Sequence, residues 1–181
     1  MLRSPYHPRY CEENAWHLCG ERELIGDEAS VIFVSNQQQA VAMWAQRAAG
    51  PGVPVAWDYH VFVVARTGGW QVWDPDTLLG YPVGLELYLA DSFATVGVQP
   101  ARFDPRFRVV AGEEYRSTLR SDRSHMREAD GSWHAPPPPW PPIGDACQPP
   151  NLPRFIDLGD PFIGRIVDLA GVRRLFADGD G

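Results

Sequence analysis

The sequence predicts a single α+β domain in which helices pack on an antiparallel sheet. Segments with helical apolar spacing are interleaved with short runs of strand-like alternation along one chain. The clearest alternating run, residues 54–66, is followed by Thr67-Gly68-Gly69 and a second apolar run, the pattern of an antiparallel hairpin. The 181 residues suffice for one domain with a proper core, and neither an internal repeat nor a second domain is evident in them.

Taken in order, residues 11–22 read as a helix, since Ala15, Trp16 and Cys19 follow Cys11 at helical spacing. Glu12 and Glu13 sit in its first turn, where acids complement the helix dipole. Val31 to Val34 is a short apolar strand stopped by Ser35-Asn36. Residues 38–48 predict another helix, with Val41 and Trp44 on one side, ended by Gly50-Pro51-Gly52. Residues 54–66 predict one continuous strand, with Val55, Trp57, Tyr59, Val61 and Val63 on one face and His60 among the residues of the other. Residues 70–73 return antiparallel to it. A helix over 85–94, a strand over 107–110, a short helix over 113–119 and a closing helix over 167–176 complete the pattern. Between them, residues 121–153 are proline-rich, with four consecutive prolines at 136–139. This stretch is neither helix nor central strand, and Trp133, Trp140 and Ile143 predict that it packs on the body.

Composition narrows the chemistry. The formal net charge is −7, which argues against a general nucleic-acid binder. All 16 basic residues are arginines, so Schiff-base catalysis by lysine is excluded. The three cysteines, Cys11, Cys19 and Cys147, form no Cys-x-x-Cys pair, so neither a disulfide framework nor a zinc ribbon is expected. No stretch approaches the ~20 apolar residues that cross a bilayer. A soluble protein of the reducing cytoplasm is therefore expected, free of metal or organic cofactor.

Cys11 stands at a helix start, where dipole and free backbone N–H groups favour a thiolate and could hold an oxyanion. A thiol nucleophile needs a proton-transfer partner. His60 is the best placed of five histidines, being set within an apolar strand. Asp74 follows 14 residues later, with the Gly-Gly turn midway, so the hairpin brings it beside His60 as an orienting carboxylate. Other readings stand beside these: Cys11 as core packing, His60 as a hydrogen-bonded core residue, Asp74 as the cap of the Pro75-Asp76 turn.

The segment Trp57-Asp58-Tyr59-His60-Val61 resembles the WDYHV signature of protein N-terminal glutamine amidohydrolases. Tyr10-Cys11-Glu12-Glu13-Asn14 with Trp16 and Leu18-Cys19 resembles that family's nucleophile helix, and Asp74-Pro75-Asp76-Thr77 its acidic turn. Phe107-Arg108-Val109, Ser121 through Met126, Gly131-Ser132-Trp133 with the proline run, Asn151-Leu152 and Phe155-Ile156 continue the likeness over residues 9–177. The resemblance implies a papain/transglutaminase-like fold, a monomer, and a Cys-His-Asp triad of Cys11, His60 and Asp74. It implies deamidation of N-terminal glutamine in proteins or peptides, in an N-degron role. Selectivity for a free α-ammonium then needs carboxylates, for which Glu12, Glu13, Asp58 and Asp76 are the candidates. Each also has an ordinary role in helix-dipole, turn or strand-edge chemistry. His125 is expected to order a loop, His7, His17 and His134 to lie at the surface or in loops, and Cys19 to lie in the core. The rival readings are a related thiol enzyme (a general glutamine deamidase or a transglutaminase) and a non-catalytic reader of N-terminal glutamine.

Overall fold

A computed structural model describes residues 5–145 and 147–177. The chain runs α1 (Cys11–Leu18), α2 (Arg22–Ile25), β1 (Ala29–Ser35), β2 (Val41–Met43), β3 (Val55–Trp57), β4 (His60–Arg66), β5 (Trp70–Trp73) and β6 (Val83–Gly84). It continues with α3 (Leu85–Ser92), β7 (Arg106–Ala111), α4 (Gly112–Thr118), α5 (Leu152–Ile156), β8 (Arg165–Val167) and α6 (Leu169–Leu175). Six strands form one antiparallel sheet in the order β6-β5-β4-β1-β7-β8, and β2 and β3 form a separate ribbon. The expected α+β class with an antiparallel sheet is what the structure has.

The period-2 alternation of the central strands divides the core. Val31, Phe33, Val61, Val63 and Ala65 meet α1, α4 and α5 through Ala15, Leu18, Tyr115, Leu152 and Phe155. Ile32, Val34, Phe62 and Val64 meet α3, α6 and the ribbon through Tyr88, Leu89, Val172, Val41 and Met43. Strands β1 and β4 are buried on both faces, which is why they read as apolar runs.

Four expectations need correction. Residues 38–48 form no helix: Val41 and Met43, on one face of a strand that pairs with β3, are buried, and Gln39 and Ala45 have φ of 47° and 54°. Left-handed backbone at both places is incompatible with a helix through them. Residues 54–66 are two strands, not one. The chain turns at Asp58, whose Oδ1 accepts from Tyr59 N at 2.9 Å while Ser35 Oγ donates to Asp58 O at 2.7 Å. Trp57 and Val61 therefore belong to different sheets. The first helix stops at Leu18, and Arg22–Ile25 is a separate turn. Residues 165–167 form an edge strand before the closing helix, which Asp168 caps by accepting from Gly171 N at 2.7 Å.

Polar side chains fasten the proline-rich segment. Ser121 bridges to Ile143, and Ile143 is buried. Asn151 Oδ1 accepts from Arg120 N and its Nδ2 donates to Thr118 O, both at 2.8 Å. Helix α5 begins inside the segment's last residues, with Pro153 in its first turn, where a missing N–H costs nothing. Arg108, fully buried on β7, donates to the carbonyls of Phe155, Asp157, Asp160 and Ile163 at 2.7–3.0 Å. One guanidinium thus satisfies an irregular stretch that has no ladder of its own. Among the described residues no helix is long and apolar enough to cross a membrane.

Candidate active site

The topology brings the ends of α1, β4 and β5 together. Helix α1 lies on β4 with Cys11 at its first position. His60 opens β4, on the sheet face that also carries Phe62 and Val64. Asp74 follows the last residue of β5, and the β4–β5 pairing sets it on the same face. His60 Nε2 and Asp74 Oδ2 are 3.0 Å apart, and both side chains are almost fully buried. The register therefore does what the hairpin predicted.

Asp74 is held from three sides. Its Oδ2 also accepts from Tyr88 OH at 2.8 Å, and its Oδ1 accepts from Asp76 N at 3.0 Å. Burial alone would push this carboxyl up; the neighbouring His60 and the hydrogen bonds outweigh it and hold it below its ordinary value. The same pair acts on His60: burial disfavours its charge, but Asp74 prevails and raises it. With Nε2 committed to Asp74, Nδ1 is the ring nitrogen left for proton exchange. Trp57 stacks on the imidazole, with centroids 5.7 Å apart and planes at 16°.

Cys11 departs from expectation. Burial, followed by the charges of Glu12 and Asp76, pushes its thiol well up, against the Val61 N–H that lowers it. The helix start does not prevail over desolvation and the surrounding carboxylates, which favour the thiol. Proton removal then falls to a base rather than to the helix dipole.

Cys11, Trp57, Asp58, Tyr59, His60, Asp76 and His125 are among the residues lining one cavity of about 580 Å³. Its rim includes Tyr6 and Arg9 from the chain preceding α1. That segment is tied down by His7 N donating to Asn14 Oδ1 and Asn14 Nδ2 donating to His7 O, both at 2.8 Å.

The four candidate carboxylates separate. Asp58 and Asp76 line the cavity. Asp76 Oδ1 accepts from Tyr6 OH at 2.6 Å, and burial raises its carboxyl. Glu12 is fully buried beside Cys11: its Oε2 lies 3.8 Å from Sγ and accepts from Tyr59 OH at 3.2 Å, and its Oε1 lies 3.4 Å from His125 Nε2. Glu13 points away and is spent on structure. Its two oxygens take Arg123 Nε at 2.7 Å and Nη2 at 2.8 Å, and Trp140 Nε1 donates to Oε2 at 2.6 Å. The structure thus leaves Glu13 no access to the cavity.

His125 is the residue whose position sequence reasoning missed. Expected to order a loop, it stands in the cavity wall against Glu12. Its place within the Ser121–Met126 motif was the available signal. The other minor expectations divide. Cys19 is buried in the core and Cys147 is exposed. His134 is exposed, but His17 is half-buried against Trp140, with centroids 4.7 Å apart, because the proline-rich segment covers it.

The chain's likeness to known proteins agrees with this geometry. The model of the family described as N-terminal glutamine amidase matches residues 6–176. A human protein named protein N-terminal glutamine amidohydrolase is 36% identical over 165 residues, covering 88% of this chain and 80% of the relative. The zebrafish protein (Danio rerio) of that name is 34% identical over 88% of this chain and 81% of its own length. That of Drosophila erecta is 40% identical over 144 residues, 74% of this chain and 69% of the relative. With the match spanning nearly every element described above, the chain belongs to the N-terminal glutamine amidase family.

Proposed function

We propose that this protein removes the side-chain amide of an N-terminal glutamine in peptides or proteins, leaving N-terminal glutamate and ammonia. The observation that carries the reading is a buried His60–Asp74 pair meeting Cys11 at one cavity that two further carboxylates line. The names of the relatives support the substrate.

In this reading His60 Nδ1 takes the Cys11 proton as Sγ attacks the side-chain carboxamide carbon. The oxyanion forms at the start of α1, where the backbone N–H groups have no intrahelical acceptor. His60 passes the proton to the departing nitrogen, the C–N bond breaks, ammonia leaves, and a thioester joins the glutamyl group to Cys11. Water attacks the thioester carbon while His60 takes its proton. The C–S bond then breaks, His60 returns the proton to Cys11, and glutamate is released. Asp74 holds the imidazole in one tautomer and balances its charge throughout. Asp76 is the acceptor for the substrate α-ammonium, with Asp58 beside it in the cavity lining. The role in an N-degron pathway rests on this chemistry, because only the N-terminal residue changes.

The test measures ammonia and product mass with peptides beginning Gln, beginning Asn, beginning acetyl-Gln, or carrying Gln only internally. Conversion of amide to acid confined to free N-terminal Gln, and lost in Cys11→Ala, is the expected result. Equal turnover of acetylated or internal Gln would replace this reading with a general deamidase or a transglutaminase.

A further inference from the structure

A second recess of about 550 Å³ adjoins the catalytic cavity, and the two share Gln39, His125 and Ile156 in their linings. It continues over Leu152 and Leu158, with Gln37 beside Gln39 on its border. The inference here rests on the N-terminal glutamine reaction proposed above. A substrate that is a polypeptide must leave the catalytic cavity through its wall. At about 3.3 Å per extended residue, the chain clears a one-residue site within its next two residues. Each of those residues carries a main-chain N–H and C=O that need partners once water is displaced.

The shared wall is built for presentation. Asn36 is buried and organises residues 36–40: its Nδ2 donates to the carbonyls of Ala40, Arg102 and Asp104, and its Oδ1 accepts from Gln38 N and Ala40 N. Gln39, at the tip, is exposed and held at a left-handed φ of 47°, a conformation uncommon for glutamine. Its side-chain amide has no protein partner among the described residues, and offers both donor and acceptor capacity. On the opposite side, His125 Nε2 lies 3.4 Å from Glu12 Oε1. Ile156 supplies a half-buried apolar floor between them.

We propose that this recess is a substrate groove for the main chain that follows the N-terminal glutamine, entered between Gln39 and His125 and held by the Gln39 amide. The ligand class is an extended, unfolded N-terminal segment, read through its backbone rather than through particular side chains. Folded N-termini that cannot extend past the second residue are then poor substrates.

The experiment compares ammonia release from Gln-Gly, Gln-Gly-Ser and Gln-Gly-Ser-Ala-Gly by the full chain. The expected result is a rise in kcat/KM of about tenfold from dipeptide to pentapeptide, equivalent to about 1.4 kcal/mol. Gln39→Gly removes the amide and accepts positive φ without strain, so it should bring the pentapeptide-to-dipeptide ratio towards one. Gln39→Asn tolerates the same backbone and keeps an amide, and should retain part of the ratio. Thermal melting of each variant separates these effects from loss of fold. Equal kcat/KM at all lengths, or a ratio unchanged in a folded Gln39→Gly protein, would overturn the groove while leaving the reaction standing. Absence of ammonia from every peptide would overturn the reaction and the groove together.

Discussion

Glu13 and Arg123 lie 110 residues apart in sequence and make two hydrogen bonds, of 2.7 and 2.8 Å, where neither side chain is more than 6% exposed. The pair fastens the helix that carries Cys11 to the proline-rich segment. Arg123 also donates to the carbonyls of Trp140 at 2.8 Å and Pro141 at 3.2 Å, closing that segment around itself. Arg123 has a left-handed φ of 64°, and His125 follows two residues later in the cavity wall. One charged contact thus positions both the candidate nucleophile and the wall facing it.

Removing one partner of a buried ion pair strands the other charge. Arg123→Met should destabilise the protein by about 3–5 kcal/mol, whereas an exposed pair such as Arg22 with Asp27 should contribute within about 1 kcal/mol. Urea unfolding of Arg123→Met and Arg22→Ala checks the contrast. Equal small losses would mean that the proline-rich segment is held by its apolar contacts instead.

Substitutions at the centre should separate activity from stability. Cys11→Ala should abolish ammonia release while leaving the urea midpoint within about 0.5 kcal/mol equivalent, since one sulfur atom is lost beside a cavity. Asp74→Asn keeps the shape but not the charge, and kcat should fall by about 10²–10⁴-fold. Retained kcat in Asp74→Asn would remove that residue from the mechanism.

The His60–Asp74 pair also fixes a pH dependence. His60 is raised above 6.5 when folded, so its contribution is present below that value and is lost as pH rises through the folded value. Asp74 is lowered below 3.8, so its contribution is present above that value and is lost as pH falls through the folded value. Both hold between 3.8 and 6.5. The stability difference between wild type and Asp74→Asn should therefore peak in that window and shrink above it. Unfolding free energies measured across pH test the sign: a difference that keeps growing towards high pH would contradict a raised His60.

Much of this site was legible in the sequence for a physical reason. His60 and Asp74 are related by a hairpin, and a Gly-Gly turn midway leaves little freedom in register. Cys11 opens a helix whose spacing is local. What failed depends on distant contacts. Residues 38–48 have a helical pattern, but Val41 and Met43 gain more from alternate burial against β3 and the second core face. The break at Asp58 is set by a hydrogen bond from Ser35, 23 residues away. Glu12 and Glu13 are adjacent and chemically alike. Only the fold sends one to Cys11 and the other to Arg123. The raised Cys11 thiol likewise follows from burial and from carboxylates of α1 and of the turn after β5, which no local window displays.

Asp76 is the carboxylate best placed to read a free N-terminus. It lines the cavity with Cys11 and His60, and its backbone N is anchored on Asp74 Oδ1 at 3.0 Å, so its position follows that of the His60–Asp74 pair. Tyr6 OH occupies Oδ1, while Oδ2 has no protein hydrogen bond among the described residues and remains for an ammonium. A hydrogen bond to a charged group contributes about 1.5–3 kcal/mol, which corresponds to about 10–100-fold in kcat/KM. Asp76→Asn should lose that much with free N-terminal Gln and much less with acetyl-Gln, which presents no positive charge. The preference for the free amine should therefore narrow by the same factor. Asp58→Asn is the control, because Asp58 Oδ1 is already engaged by Tyr59 N. A preference that narrows in Asp58→Asn but survives in Asp76→Asn would move α-ammonium recognition from the β5 turn to the bend before His60.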